Sequence, residues 1–282
     1  MTEFLRTDDG QLAYEVTGQA GPGPLVVLAH GMGDNRAAYR ELAGRLAAQG
    51  YRVAAMDQRG HGESSTGWPS YTRTDAAADL LALVRHLDHG PAILVGHSFA
   101  GGAATIAAAE APELVTAVVE IAPFTRAQKV APGALFTNAR YRKGMLLLTG
   151  AGVFRGVGLW KRYLDHAHPG VKPAGFTEHL AALDTDLRRP DRMAVLSRMA
   201  MSAPTDAGAR LGDVTCPVLV IEGTLDPDWA DPRAEGEAIV AALPAGLGRL
   251  ELVEGAGHYP HSQFPDQVAA LILDFLTAGA RA

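Results

Sequence analysis

The chain has 282 residues, 48% of them hydrophobic, a formal net charge of −6 and a mean hydropathy of +0.03. That is enough apolar mass for one large core or two modest ones. An acidic pI near 5.9 with no block of Lys and Arg excludes the electrostatic footprint of a nucleic-acid binder.

The opening "MTEFLRTDDG" mixes acid, base and polar groups where a secretory signal needs a basic start and an apolar stretch. No apolar run approaches the roughly 20 residues that span a bilayer. The expected location is the cytoplasm, with neither a membrane nor a nucleic acid as partner and the oligomeric state left open. A single cysteine, Cys216, allows no internal disulfide and no cysteine-rich zinc site. Within "VTCPVLVIEG" it reads as a small packing residue.

In chain order, buried-strand candidates are "LVVLA" at 25–29, "YRVAAMD" at 51–57, "AILVG" at 92–96, "VTAVVEIA" at 115–122, "PVLVIEG" at 217–223 and "GRLELVEG" at 248–255. Between them lie helical patterns. "YRELAGRLAAQG" closes on Gly50, and "TDAAADLLALVRHLDHG" starts from a Thr74 cap and closes on Gly90. Strands alternating with helices predict an open, mostly parallel α/β sheet covered on both faces.

That rhythm stops after Ala122 and resumes near Thr215. The intervening residues hold helix-like pieces, "NARYRKGMLLLTG", "GLWKRYLDHAH", "TEHLAALDTDL" and "RMAVLSRMAMSA", and no convincing strand. They read as a helical cap, residues 123–214, over a core formed by 1–122 and 215–282. It would sit at the sheet's carboxyl edge, where open α/β folds bind ligands.

In "ILVGHSFAGGAAT" a polar Gly96-His97-Ser98 interrupts an apolar run at a strand-to-helix junction. A Gly-x-Ser-x-Gly turn there forces the serine into an unfavourable conformation and requires very small neighbours. Gly96, Ala100 and Gly101 meet the demand, with alanine where the usual pattern has glycine. A serine nucleophile needs a base, an acid and an oxyanion site. Asp226 in "IEGTLDPDW" and His258 in "VEGAGHYPH" each follow a strand and would emerge at the same edge, in the order Ser, Asp, His. The Gly-flanked loop in "LAHGMGDN" places the amide of Met32 opposite Ser98. With the amide of Phe99 it makes a two-donor oxyanion hole.

With these motifs, His30-Gly31-Met32-Gly33, "DQRGHGES", "GHSFAGG", "GTLDPDW" and "GAGHYPH", the chain resembles a lid-bearing serine hydrolase of the α/β-hydrolase superfamily. The motifs span nearly the whole chain in the family's order. The resemblance implies His258, rather than His261, as the base, because it follows the Gly-x-Gly. It treats His97 as structural. Asp226 is preferred over Asp228 and Asp231 because it lies nearest its strand's end. Glu120, a carboxylate within "AVVEIAP", reads as paired with a cation or set at the sheet's edge, with a backup acid role as the alternative. His30 orients the oxyanion loop through hydrogen bonds, and Asp57, Arg59 and Ser64 form a hydrogen-bonded loop near the pocket floor.

Gly31, Trp160 and Trp229 are the substrate-binding candidates. Tyr163, Phe154 and the methionines 193, 199 and 201 add to an apolar cap that suits an acyl chain. No cofactor is expected, and no metal, since the ten histidines form no ligand pair at helical spacing with a third ligand. The implied activity is hydrolysis of a carboxylic ester or lactone of a largely apolar small molecule. The alternatives are a cofactor-free lyase or oxygenase on the same scaffold, or a small-ligand receptor. Serine at 98 in place of aspartate weighs against dehalogenase and epoxide-opening chemistry.

Overall fold

The computed structural model describes residues 1–18, 23–127 and 130–279. The chain runs through β1 (Glu3–Thr7), β2 (Gly10–Thr17), β3 (Leu25–Ala29), α1 (Arg40–Ala48), β4 (Arg52–Met56), α2 (Arg73–Leu87), β5 (Ala92–His97), α3 (Phe99–Glu110) and β6 (Val115–Ile121). Six helices follow: α4 (Pro132–Thr137), α5 (Ala139–Phe154), α6 (Val157–Ala167), α7 (Phe176–Leu187), α8 (Arg192–Met201) and α9 (Thr205–Gly208). Then come β7 (Val218–Gly223), α10 (Pro232–Ala242), β8 (Gly248–Val253), α11 (Pro260–Gln263) and α12 (Pro265–Gly279).

The eight strands form one sheet in the order β1-β2-β4-β3-β5-β6-β7-β8. All pairings from β4 to β8 are parallel, and β2 joins β4 antiparallel. The continuous apolar runs follow from burial on both faces. Leu25, Val27 and Ala29 enter the cluster that contains α2 and α3 residues, while Val26 and Leu28 enter the one beneath α1 and α12. Cys216 is buried in the first of these clusters, where burial pushes its thiol up to about 11.

Two expectations are corrected. The first two strands, absent from the sequence reading, form a hairpin whose two-residue turn is Asp8-Asp9. β1 is an exposed edge strand, so it carries no buried run to betray it. The cap of helix α2 lies two residues before the predicted one. Thr72 accepts from the Asp75 amide at 3.2 Å, and the Asp75 carboxylate accepts from the Thr72 amide at 2.7 Å, a reciprocal capping box. Thr74 instead bonds Asp206. The earlier start sets Arg73 as the first helical residue.

Between β6 and β7 there is no strand among the described residues. The four predicted helices appear as α5 to α8, and the short α4 and α9 join them. Trp160, Tyr163, Leu164, Leu183, Met193 and Leu196 form a third apolar cluster, which Tyr259 ties to the sheet's edge. No described helix is long and apolar enough to cross a membrane.

Candidate active site

Ser98 sits between β5 and α3 with φ 54° and ψ −117°, a region that a residue with a side chain enters only under constraint. The constraint is visible in its neighbours. A Cβ on Gly96 would run into the Ala100 carbonyl, and one on Gly31 would lie 2.9 Å from both Ser98 Cβ and His97 Nδ1. Ala100 is itself fully buried, so its methyl group is accommodated.

Ser98 opens onto a cavity of about 350 Å³ shared with Met32, Phe99, Arg73, Phe124 and Met199. The amides of Met32 and Phe99 make no hydrogen bond within the protein among the described residues. The loop that carries Met32 is braced from behind. His30 Nε2 accepts from the Gln58 amide at 3.0 Å, and His61 Nε2 accepts from the Gly33 amide at 2.9 Å. The glycine-rich 57–64 segment is self-bonded: Ser64 Oγ donates to the Asp57 carbonyl, and Arg59 pairs twice with Asp79.

His258 follows β8 and is buried. Its Nδ1–H donates to Asp226 Oδ2 at 2.7 Å, which in the neutral ring leaves Nε2 as the acceptor. His97 Nε2–H donates to the His258 carbonyl at 2.7 Å, and the two rings lie 4.9 Å apart. Phe124, on the cavity wall, stands 5.9 Å from the His258 ring. Ser98 Oγ and His258 Nε2 are not hydrogen-bonded to each other.

Asp228, which ranks behind Asp226 in the sequence, lies 3.4 Å from the same imidazole nitrogen. Its amide donates to Asp226 Oδ1 at 2.8 Å, and Tyr163 Oη donates to its Oδ2 at 2.6 Å. Burial, the largest influence, pushes His258 down, but Asp226 and Asp228 together outweigh it and hold the imidazole at about 9. Burial lifts Asp228 to about 6 against the pull of His258. The spacing Asp-x-Asp after a strand was the only available signal, and it does not say that a tyrosine 65 positions away completes the group. Asp226, Asp228 and His258 are also the one set among the described residues whose ligand atoms could hold a metal, all within 4.8 Å.

The family model for the alpha/beta hydrolase family matches residues 26–271. The chain belongs to the alpha/beta hydrolase family. It is 31% identical to 2-(acetamidomethylene)succinate hydrolase of Mesorhizobium japonicum, over 97% of this chain and 95% of that one. It is likewise 31% identical to the magnesium-chelatase 30 kDa subunit of Rhodobacter capsulatus, over 90% and 87%. The enol-lactonase of Burkholderia xenovorans LB400 shares the fold, with a TM-score of 0.75 at 21% identity over 98% of this chain and all of that one.

Within this alpha/beta hydrolase the tryptophans singled out in the sequence lie off the cavity that contains Ser98. Trp160 is buried, stacked on Tyr163 at 4.9 Å, and donates its Nε1–H to the Gly33 carbonyl at 3.0 Å. Trp229 lies behind the wall, its ring 4.9 Å from that of Phe124. Met199 and Met201 do line the cavity, Met193 packs in the third cluster, and Phe154 is exposed. Glu120 meets neither expectation. It is on interior strand β6, fully buried, and accepts from Thr105 and Thr125 hydroxyls rather than from a cation. Burial lifts it to about 7.

Proposed function

We propose that the chain is a serine hydrolase of carboxylic esters or lactones, with residues 123–214 as a helical cap over the site. Ser98 Oγ attacks the acyl carbon while His258 Nε2 takes its proton. Asp226 holds the imidazole in the productive tautomer and stabilises its charged form, and the amides of Met32 and Phe99 receive the oxyanion. The imidazolium then protonates the departing alkoxide. Water, activated by the same imidazole, breaks the Ser98 acyl bond and restores the hydroxyl. Proton transfer asks Oγ and Nε2 to close to bonding distance, which such pairs often do only with substrate bound.

The observation that carries this reading is Ser98 at φ 54° on a cavity wall it shares with Met32 and Phe99, both with unspent amides. The Mesorhizobium relative, by its name a hydrolase, supports hydrolysis over lyase or oxygenase chemistry. A fluorophosphonate probe should label Ser98, and Ser98→Ala should lower turnover of short p-nitrophenyl esters by at least about 10³-fold while leaving the fold intact. Unchanged turnover by Ser98→Ala in a clean preparation would overturn the proposal. Labelling without hydrolysis of any ester or lactone would favour the non-hydrolytic alternative.

A further inference from the structure

The earlier start of α2 puts a cation into the wall of the Ser98 cavity. Arg73 is 4% exposed, and its guanidinium lies over the Phe99 ring at 4.2 Å. Nε–H donates to the Phe124 carbonyl at 2.9 Å and Nη1 to the Ser202 carbonyl at 2.8 Å. A guanidinium carries five N–H groups, so three are left without a protein acceptor among the described residues. Stacking on Phe99 uses the face of the group and leaves its edge available.

The other buried arginines behave differently. Arg59 forms a two-pronged pair with Asp79 at 2.7 and 2.8 Å, and Arg192 lies 3.8 Å from Asp186. Arg73 has no carboxylate within bridging distance among the described residues. Asp206, which influences it through space, is bound to the amide and hydroxyl of Thr74. Burial pulls Arg73 down to about 10, so the cation persists at neutral pH. A buried charge with no counterion is costly. Around it the wall is largely apolar: Phe124, Met145, Leu148, Val153, Met199 and Met201.

We infer that Arg73 is the anion subsite of this cavity, and that the substrate is a mostly apolar ester or lactone bearing a carboxylate that pairs with the free edge of the guanidinium. This rests on the serine-hydrolase reading. It narrows that reading by making the missing counterion part of the substrate, on either the acyl or the alcohol side of the scissile bond. A planar carboxylate matches the two-pronged edge that backbone carbonyls leave open.

Two matched pairs separate the sides: p-nitrophenyl hydrogen adipate against its methyl ester for the acyl side, and 4-acetoxybenzoate against methyl 4-acetoxybenzoate for the alcohol side. The wild-type protein should favour the anionic member of one pair by about tenfold to a hundredfold in kcat/KM. Arg73→Met should bring that ratio to about one, and Arg73→Lys should restore part of it. A mere latch between Phe124 and Ser202 would leave the ratio unmoved. Should Arg73→Met fail to fold, Arg73→Lys and the wild-type ratios still decide. Hydrolysis of the neutral esters with ratios near one in both pairs overturns the inference and leaves the serine-hydrolase reading standing. If Ser98 is labelled by the fluorophosphonate but no ester turns over, protection from labelling by adipate or 4-hydroxybenzoate supports the subsite, and lack of protection overturns it. Absence of both labelling and turnover removes the serine-hydrolase reading and the inference together.

Discussion

His258 carries two carboxylates rather than one, and this has a measurable consequence. Both Asp226 and Asp228 favour the imidazolium, against burial, and hold it near 9. Under the proposed mechanism His258 must be neutral to accept the Ser98 proton, so kcat/KM for a neutral ester is expected to rise with pH along a limb lying above the ordinary histidine range. Asp228→Asn removes one of the two stabilising charges, and the limb should shift to lower pH with the maximal rate retained within about tenfold, as a pH–rate profile will record. Asp226→Asn should instead lower the maximal rate by about 10³- to 10⁴-fold, because the hydrogen bond that fixes the tautomer is lost. An unshifted limb in Asp228→Asn would assign that residue to Tyr163 alone.

At the scale of elements, the helices between β6 and β7 are fastened to the sheet's edge at particular points. Trp160 of α6 reaches the Gly33 carbonyl, Tyr163 of the same helix reaches Asp228, and the His258 amide donates to the Ala167 carbonyl at 2.9 Å. Trp160→Phe deletes one donor while keeping most of the apolar contact, leaving a buried carbonyl with one partner fewer. The expected loss is about 1 kcal/mol, together with faster hydrogen exchange in α6 and in the 30–34 loop. Exchange that changes in α6 alone would mean that the bond does not couple the helix to the loop. The amphipathic pattern that predicts α6 also makes Trp160 a cavity candidate. A large aromatic among helical apolar positions carries the same signature whether it faces a ligand or a neighbouring loop.

For the molecule as a whole, the sheet's burial on both faces has an electrostatic cost. Glu120 and Glu222 lie on adjacent interior strands, fully buried. Burial raises Glu120 to about 7, and burial followed by repulsion from Asp226, Glu235 and Glu120 raises Glu222 well above its usual value. Each therefore binds more proton in the folded than in the unfolded state, so stability falls as pH rises from about 4.5 through the folded-state value. For Glu120 that window closes near 7, and the full effect is at most about 3 kcal/mol. Glu120→Gln should flatten the decline between pH 5 and pH 8 relative to wild type, as measured by urea unfolding midpoints. Parallel profiles for the two proteins would show that Glu120 titrates as it does in the unfolded chain.

What the sequence by itself determined was set by short-range patterns. Continuous apolar runs bounded by glycine and proline gave six of the strands. The small residues around Ser98 gave the strained turn, and the positions of Asp226 and His258 just past strand ends gave their shared edge. Each of those signals is local, since burial on two faces, a tight turn and a strand terminus are all written within a few residues. Only the tertiary structure decided which groups meet across the chain: Tyr163 with Asp228, Trp160 with Gly33, and Arg73 with the cavity wall. Glu120 likewise received threonine hydroxyls instead of a cation. These pairings depend on how separate elements dock, and docking is governed by the summed packing of whole faces, so no single residue type or spacing announces it.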